Sequence, residues 1–321
     1  CYLSIYEHLS IMKGVTYVLL AQVCFALIGV FTKYIGSSMD TFAITFFRVF
    51  IAALFFLALA LATRNIRQLS VKKEDIKPFF FLGVMIALNF VFFIAAFSYT
   101  SIVEVGLLCS VTPVFVYLMA SRVLKEKITF SCTMAFFAVV LGLYLMNSSG
   151  FEDGHLLGNI FVILSCLFAA GQITYTRLEE RIHTSLDTLF WPMLVATLLL
   201  SPVMFGFSFS SVPADVYRWV ALLGLVGTGL AYFFFAKALE SLEAGKYSIL
   251  GIISFSLISI FFGVGLFGEQ LTAGMISGGL LLMLSAVIIH YEKSPFLNAG
   301  VVKGINQKML RILLGLRTKK F

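Results

Sequence analysis

The chain reads as an all-α membrane protein, with ten transmembrane helices arranged as two inverted five-helix repeats, and three observations predict this. The first is composition. Hydrophobic residues make up 60% of the 321, charged residues only 12%, and the mean hydropathy is +1.01, which leaves too little polar surface for a fold bathed in water. The second is segmentation into ten apolar runs, each close to the roughly 20 residues that carry a helix across a bilayer. The third is self-similarity at one fixed offset, the signature of a duplicated unit. A shift of 143 residues carries Val123-Leu-Lys-Glu126-Lys-Ile-Thr129 onto Leu266-Phe-Gly-Glu269-Gln-Leu-Thr272, Phe25-Ala26 onto Phe168-Ala169, and Phe46-Phe47-Arg48 onto Leu189-Phe190-Trp191. A β-barrel is excluded, because its strands alternate apolar and polar residues, whereas these runs are apolar on both faces.

Taken in order, the spans fall at about 14–35, 41–62, 78–97, 102–122, 129–147, 156–176, 187–207, 217–239, 245–267 and 273–291. Residues 1–12 read as an N-terminal extension, with Met12 a candidate true start directly before the first span. Residues 13–148 form the first repeat and 149–292 the second, followed by a basic tail at 293–321.

Charge orients these spans, since Lys and Arg gather in the cytoplasmic loops. With the N-terminus inside, 20 of the 23 basic residues lie on the cytoplasmic side, including Arg64, Lys72, Lys125, Arg177 and the tail. The C-terminus is then also inside, in the cytoplasmic membrane. An odd number of spans per repeat turns the second copy over. Lys125-Glu126-Lys127 is accordingly cytoplasmic while Gly268-Glu269-Gln270 faces out, the acid kept and both lysines lost. Inverted repeats are the architecture of alternating access, in which two halves rock about a shared site.

Polar residues inside spans are functional candidates by default. Arg48 lies seven residues into the second span, about 10 Å below its start. It reads either as a contact for an anionic or carboxylate ligand, or as an ion pair with Glu104 that locks the outer gate. Glu104, near the outer end of the fourth span, reads alternatively as a proton-coupling carboxylate. Lys33 reaches for the outer headgroups. Gln22, Asn89 and Gln172 sit near mid-span in spans one, three and six, where their amides either bond a polar solute or bond across helices to one another.

Pro113 is a candidate helix hinge in span four, and Ser254, Ser256 and Ser259 bring hydroxyls to span nine. Of the aromatic residues, Tyr232, Tyr247 and Trp191 are the best candidates to wall a cavity, because each brings a polar atom. Gly224, Gly227 and Gly229 bring span eight close to a neighbour and are no phosphate loop, as no Gly-Lys-Ser/Thr follows. Spans five and ten both carry small-xxx-small faces, Ser131/Ala135 and Gly274/Gly278, suited to close packing within the chain or across a homodimer. In the tail, Ile305, Met309, Ile312, Leu313 and Leu316 alternate with Lys303, Lys308, Arg311 and Arg317 at helical spacing, as in an amphipathic helix on the anionic leaflet.

Phe25-Ala26 with Lys33 and Arg48, Pro113 in span four, Ala238-Leu-Glu-Ser-Leu-Glu-Ala-Gly245 and the paired Glu-Lys-Ile-Thr and Glu-Gln-Leu-Thr closures together resemble the EamA-type branch of the drug/metabolite transporter superfamily. The resemblance covers nearly all of residues 13–291. It implies a central cavity lined by spans one, three, four, six, eight and nine, flanked by two and seven, with five and ten peripheral. It also implies movement of small metabolites, most commonly export of amino acids or related compounds, with the lipid bilayer as surroundings. Ser256 at the position of Pro113, and Trp191 at that of Arg48, depart from equivalence between the halves.

The remaining readings are a membrane transferase acting on lipid-linked substrates and a receptor or scaffold without flux. Enzyme signatures are not present in the sequence. His8, His155, His183 and His290 make no metal spacing, the five cysteines form no Cys-x-x-Cys pair, and no serine nucleophile elbow occurs. No cofactor, metal or nucleic-acid partner is expected, because the net charge of +7 sits in topological loops and the tail.

Overall fold

A computed structural model describes residues 2–63, 69, 73–124, 130–146, 153–180, 182–241 and 244–291. Its helices are α1 (Tyr2–Ile35), α2 (Thr41–Ala62), α3 (Ile76–Ala96), α4 (Ile102–Leu108), α5 (Thr112–Leu124), α6 (Phe130–Met146), α7 (Asp153–Glu179), α8 (Ser185–Leu200), α9 (Ala214–Gly224), α10 (Ala231–Ser241), α11 (Ala244–Phe267) and α12 (Ala273–Tyr291). Among the described residues there is no strand, as a bilayer demands of any chain that satisfies its backbone within single segments. Eight helices are long and apolar enough to cross a membrane, and two shorter apolar helices, Thr133–Met146 and Ala273–Ile288, fall at the fifth and tenth spans.

Four boundaries differ from the sequence reading, each for a local reason. Helix α1 begins at Tyr2, so the segment read as an extension continues the first span as helix. Span four is not one helix hinged at Pro113. It breaks earlier, in a 3-10 turn at Cys109–Val111, and α5 restarts at Thr112. Proline clashes with the carbonyl four residues before it, here Cys109, so the interruption falls one turn ahead of the ring. Span seven keeps its length, Ser185–Gly206, but is α-helical only to Leu200 and finishes as a 3-10 turn, Ser201–Gly206, with Pro202 early in it. Span eight is split by a π-helical turn, Leu225–Leu230, between α9 and α10.

Glycines in and just before that turn allow a close approach to the neighbouring helices. A Cβ on Gly224, Gly227 or Gly229 would meet Ile51, Ile28 or Phe55 at 2.6, 2.9 and 2.9 Å, so only glycine lets span eight lie against α1 and α2. π-turns of this kind recur where a helix has to present a functional side chain.

The two halves do not sit side by side as separate bundles. The principal helix contacts run between them: α3 against α7 and α8, α1 against α9, α10 and α11, α2 against α8, α4 against α11, and α6 against α12. The 143-residue shift exchanges these pairs with one another: α3 on α7 becomes span eight on α1, while α2 on α8 maps onto itself. That is an approximate twofold axis lying in the membrane plane. Neither half buries its apolar faces alone, so the repeats fold as one interleaved unit.

The small-residue face of span ten is taken up within the chain. Gly278 packs on the Gly142 carbonyl and on Met146, and Ala135 is fully buried. Of the two expectations for this face, Gly278 takes the packing within the chain, against α6. The outward face of α6 instead presents Phe136, Phe137, Leu141 and Tyr144, an apolar surface suited to lipid.

Candidate functional site

The polar side chains of spans one, three, six and eight converge across the boundary between the halves. On α7, Ser165 and Gln172 are seven residues apart, two turns along one face. Asn89 of α3 lies between them: its Oδ1 accepts from Ser165 Oγ at 2.8 Å and its Nδ2 donates to Gln172 Oε1 at 3.1 Å. Gln172 Nε2 then donates to Tyr232 Oη on α10 at 3.1 Å. Gln22 on α1 donates through Nε2 to Tyr247 Oη on α11 at 2.9 Å. Of the two expectations for these amides, the structure forms the cross-helix bonds, and it draws Tyr232 and Tyr247 into them. Each tyrosine oxygen accepts in these bonds, and a phenol can donate as well.

Arg48 is 1% exposed. Its Nε donates to Thr228 Oγ1 at 2.8 Å, and Thr228 passes its own proton to the Leu223 carbonyl at 3.2 Å, within the π-turn. Its guanidinium carbon stands 3.8 Å over the Phe90 ring, a cation–π contact. Phe90 is in turn 6.2 Å from the Tyr232 ring. Nη1 of Arg48 has no hydrogen-bond partner among the described residues.

The expected pairing of Arg48 with Glu104 does not form. Glu104 lies at the outer end of α4, where it makes a capping box with Ser101 and takes a hydrogen bond from Thr100. A carboxylate in the first turn satisfies the free amides of its own helix, and that local bond wins over one to a cation deeper in the bilayer. Lys33 is likewise held to protein, donating to the Thr100 carbonyl at 3.2 Å instead of reaching for headgroups.

Trp191, at the repeat position of Arg48, packs on the cluster of Phe56, Leu189 and Phe190 that Tyr232 also touches. Its Nε1 is buried and lacks a partner among the described residues. Ser254 stands apart from the network. The serines that matter in α11 are Ser256, which donates to the Gly106 carbonyl at 2.8 Å and lies 3.3 Å from Ser110, and Ser259, against which Gly106 packs. Ser256 and Ser259 share a face at helical spacing, whereas Ser254 is about 200° round from Ser256 at about 100° per residue.

Contacts between the halves occur toward both ends of the molecule. On the side assigned as outer, Tyr34 stacks on Trp219 with ring centres 4.6 Å apart and lies 5.6 Å from Phe267. There too, Glu269 accepts from the backbone N–H of Ile102 and of Val103, both at 2.9 Å, and so caps α4 from the opposite repeat. On the other side, His183 Nε2 lies 3.4 Å from Asp75 Oδ1 and 3.6 Å from Glu179 Oε2, with its ring 4.9 Å from Phe79.

Sequence reasoning missed Thr228, Ser165, Phe90 and the Asp75–His183 contact. The glycine-rich stretch around Thr228 was its one visible signal. No group of His, Cys, Asp and Glu among the described residues is arranged to hold a metal.

A family model described as the EamA-like transporter family matches residues 12–148 and again 156–291. The chain is a member of the EamA-like transporter family. Its fold is accordingly the ten-helix, two-repeat membrane architecture, and its class is that of small-molecule membrane transporters. The pseudopaline exporter CntI of Pseudomonas aeruginosa is 26% identical over 293 residues, covering 89% of this chain and 99% of that protein. A probable biotin transporter of Pseudomonas aeruginosa is 27% identical over 240 residues, covering 70% of this chain and 78% of the relative. The biotin transporter of Escherichia coli is 26% identical over 223 residues, covering 68% and 73%. A solved crystal structure superposes with a TM-score of 0.61 at 15% identity, over 90% of this chain and 99% of that one, a likeness of fold alone.

Proposed function

We propose that this EamA-family chain is a secondary transporter that exports small metabolites, amino acids or related compounds, across the cytoplasmic membrane by alternating access, with both termini cytoplasmic. The observation that carries this reading is the Ser165–Asn89–Gln172–Tyr232 chain of hydrogen bonds, buried where the repeats meet, with contacts between the halves on either side of it. Amides and hydroxyls that bond one another in a closed state can exchange those bonds for a polar solute when one end opens. Such exchange costs little, because cross-helix bonds of this type are worth only about 0.6–2 kcal/mol in membranes.

In this mechanism the halves rock about the axis through α2 and α8. Parting Tyr34 from Trp219 and Glu269 from α4 opens the outer side; parting Asp75 from His183 opens the inner side. The carriage of pseudopaline and biotin named for relatives widens the substrate panel beyond amino acids.

The test is counterflow in proteoliposomes loaded in turn with amino acids, biotin, sugars and nucleotides. Exchange of at least one labelled solute, abolished by crosslinking Tyr34→Cys to Trp219→Cys, is the expected result. Full exchange in the crosslinked protein would refute alternating access through this gate. Chemical turnover of a solute without translocation would favour the transferase.

A further inference from the structure

The π-turn at Leu225–Leu230 sets a problem that span eight does not solve alone. Widening a turn takes backbone amides away from the carbonyls four residues behind them, and in the membrane core a carbonyl so released must find another donor. Thr228 meets this demand for Leu223. Its hydroxyl donates to that carbonyl at 3.2 Å, five residues back, where a threonine in an α-helix reaches three or four. The hydroxyl oxygen still accepts, and Nε of Arg48 on α2 donates to it at 2.8 Å. The same guanidinium lies 3.8 Å over the Phe90 ring of α3. Arg48 thus ties span eight and α3 to α2, and among the described residues it does so without an ion pair.

The two residues it holds stand beside the polar network. Phe90 follows Asn89, and Tyr232 lies four residues, about one turn, after Thr228. Asn89 and Tyr232 are the residues that Gln172 bridges. A π-turn holds one residue more than the α-helix it interrupts, so straightening it would rotate α10 by about 100° and shift it by about 1.5 Å relative to α9. Tyr232 would then leave Gln172.

We propose that Arg48 is a positioning residue, a clamp from α2 that fixes the register of span eight through Thr228 and so keeps Tyr232 on Gln172. Its consequence for transport rests on the function proposed above, because the network it assembles is the one assigned to meet the solute.

Fluorotyrosine placed at position 232 reports the clamp through its fluorine NMR shift, which follows hydrogen bonding at the phenol. Gln172→Leu supplies the reference for a phenol without that partner. Thr228→Val and Arg48→Gln are expected to move the signal toward this reference, while Thr228→Ser, which keeps the hydroxyl, holds it at the wild-type position. Removing Leu225, an exposed residue of the turn, takes out the extra residue and restores α-helical pairing with α10 in its present register. In that background Arg48→Gln is expected to leave the signal unmoved, since no wide turn remains to be held.

A wild-type signal in Arg48→Gln or in Thr228→Val would overturn the clamp. Equal displacement by Arg48→Gln with and without Leu225 would overturn it too, because Arg48 would then act on Tyr232 by a route other than the turn. The shift is read with no solute present. Expected shifts without counterflow of any solute would leave the clamp standing and remove the transport reading, and counterflow alongside an unmoved signal would do the reverse.

Discussion

Glu269→Ala tests how the outer end is held shut. In the structure this carboxylate bridges the halves, accepting from the Ile102 and Val103 amides at 2.9 Å each. Those are free amides of the first turn of α4, where the helix dipole adds to the attraction. Hydrogen bonds to charged groups contribute about 1.5 kcal/mol or more apiece. Glu269 keeps some contact with water, so about 2 kcal/mol for the pair is the reasonable figure, or roughly thirtyfold in an opening equilibrium. Hydrogen exchange at the Ile102 and Val103 amides reads that opening directly. Exchange is expected to speed up by about that factor in Glu269→Ala, and by roughly half as many kcal/mol in Glu269→Gln, which keeps one good acceptor. Unchanged protection of both amides in the alanine variant would refute the latch.

Three further outcomes follow from the packing and topology. Gly106→Ala should lower the detergent melting point through an overpacking cost of about 1–3 kcal/mol, because its methyl would run into Ser259, whereas Gly265→Ala, with nothing within 4 Å, should not. Asn89→Leu and Gln172→Leu should be non-additive, with a coupling of about 1 kcal/mol in a thermal double-mutant cycle, since each single change orphans the other's partner. Gly268→Cys in a cysteine-free background should react with an impermeant maleimide from outside intact cells; protection there would overturn the proposed orientation.

The spans and the inverted duplication were legible because they depend on properties the sequence states outright: apolar length, loop charge and the repeat itself. Interruptions were harder. Pro113 was visible, but its effect falls one turn upstream, and the π-turn at Leu225–Leu230 depends on the fit of three glycines against Ile28, Ile51 and Phe55, which only the packed neighbours reveal. The candidate site was half legible. A buried amide announces that it needs a partner without naming one, so a bond between amides such as Asn89 and Gln172 stood as one of two alternatives, while Ser165 and Tyr232 could not be joined to them. Glu269 shows the limit from the other side. Repetition marked it as special, yet its partners are backbone amides of another helix, and these carry no sequence signal.

The comparison of positions 48 and 191 bears on why the duplication stayed unequal. The approximate twofold relation packs the second spans of the two halves, α2 and α8, against each other. Two arginines at these positions would bury two cations within the spans, each at its own desolvation cost. One arginine and one tryptophan keep a donor on each side with a single charge to be matched. At this pair of positions the divergence leaves one buried cation where exact symmetry would leave two. The closing glutamates, which stand far apart at opposite faces by the expected topology, carry no such conflict, and both copies retain theirs as Glu126 and Glu269. Glu126 lies outside the described residues. On this argument Trp191→Arg should be far more damaging than Trp191→Phe, although both remove the indole N–H. Comparable loss of folded protein in the two variants would show that position 191 is limited by shape alone, not by charge.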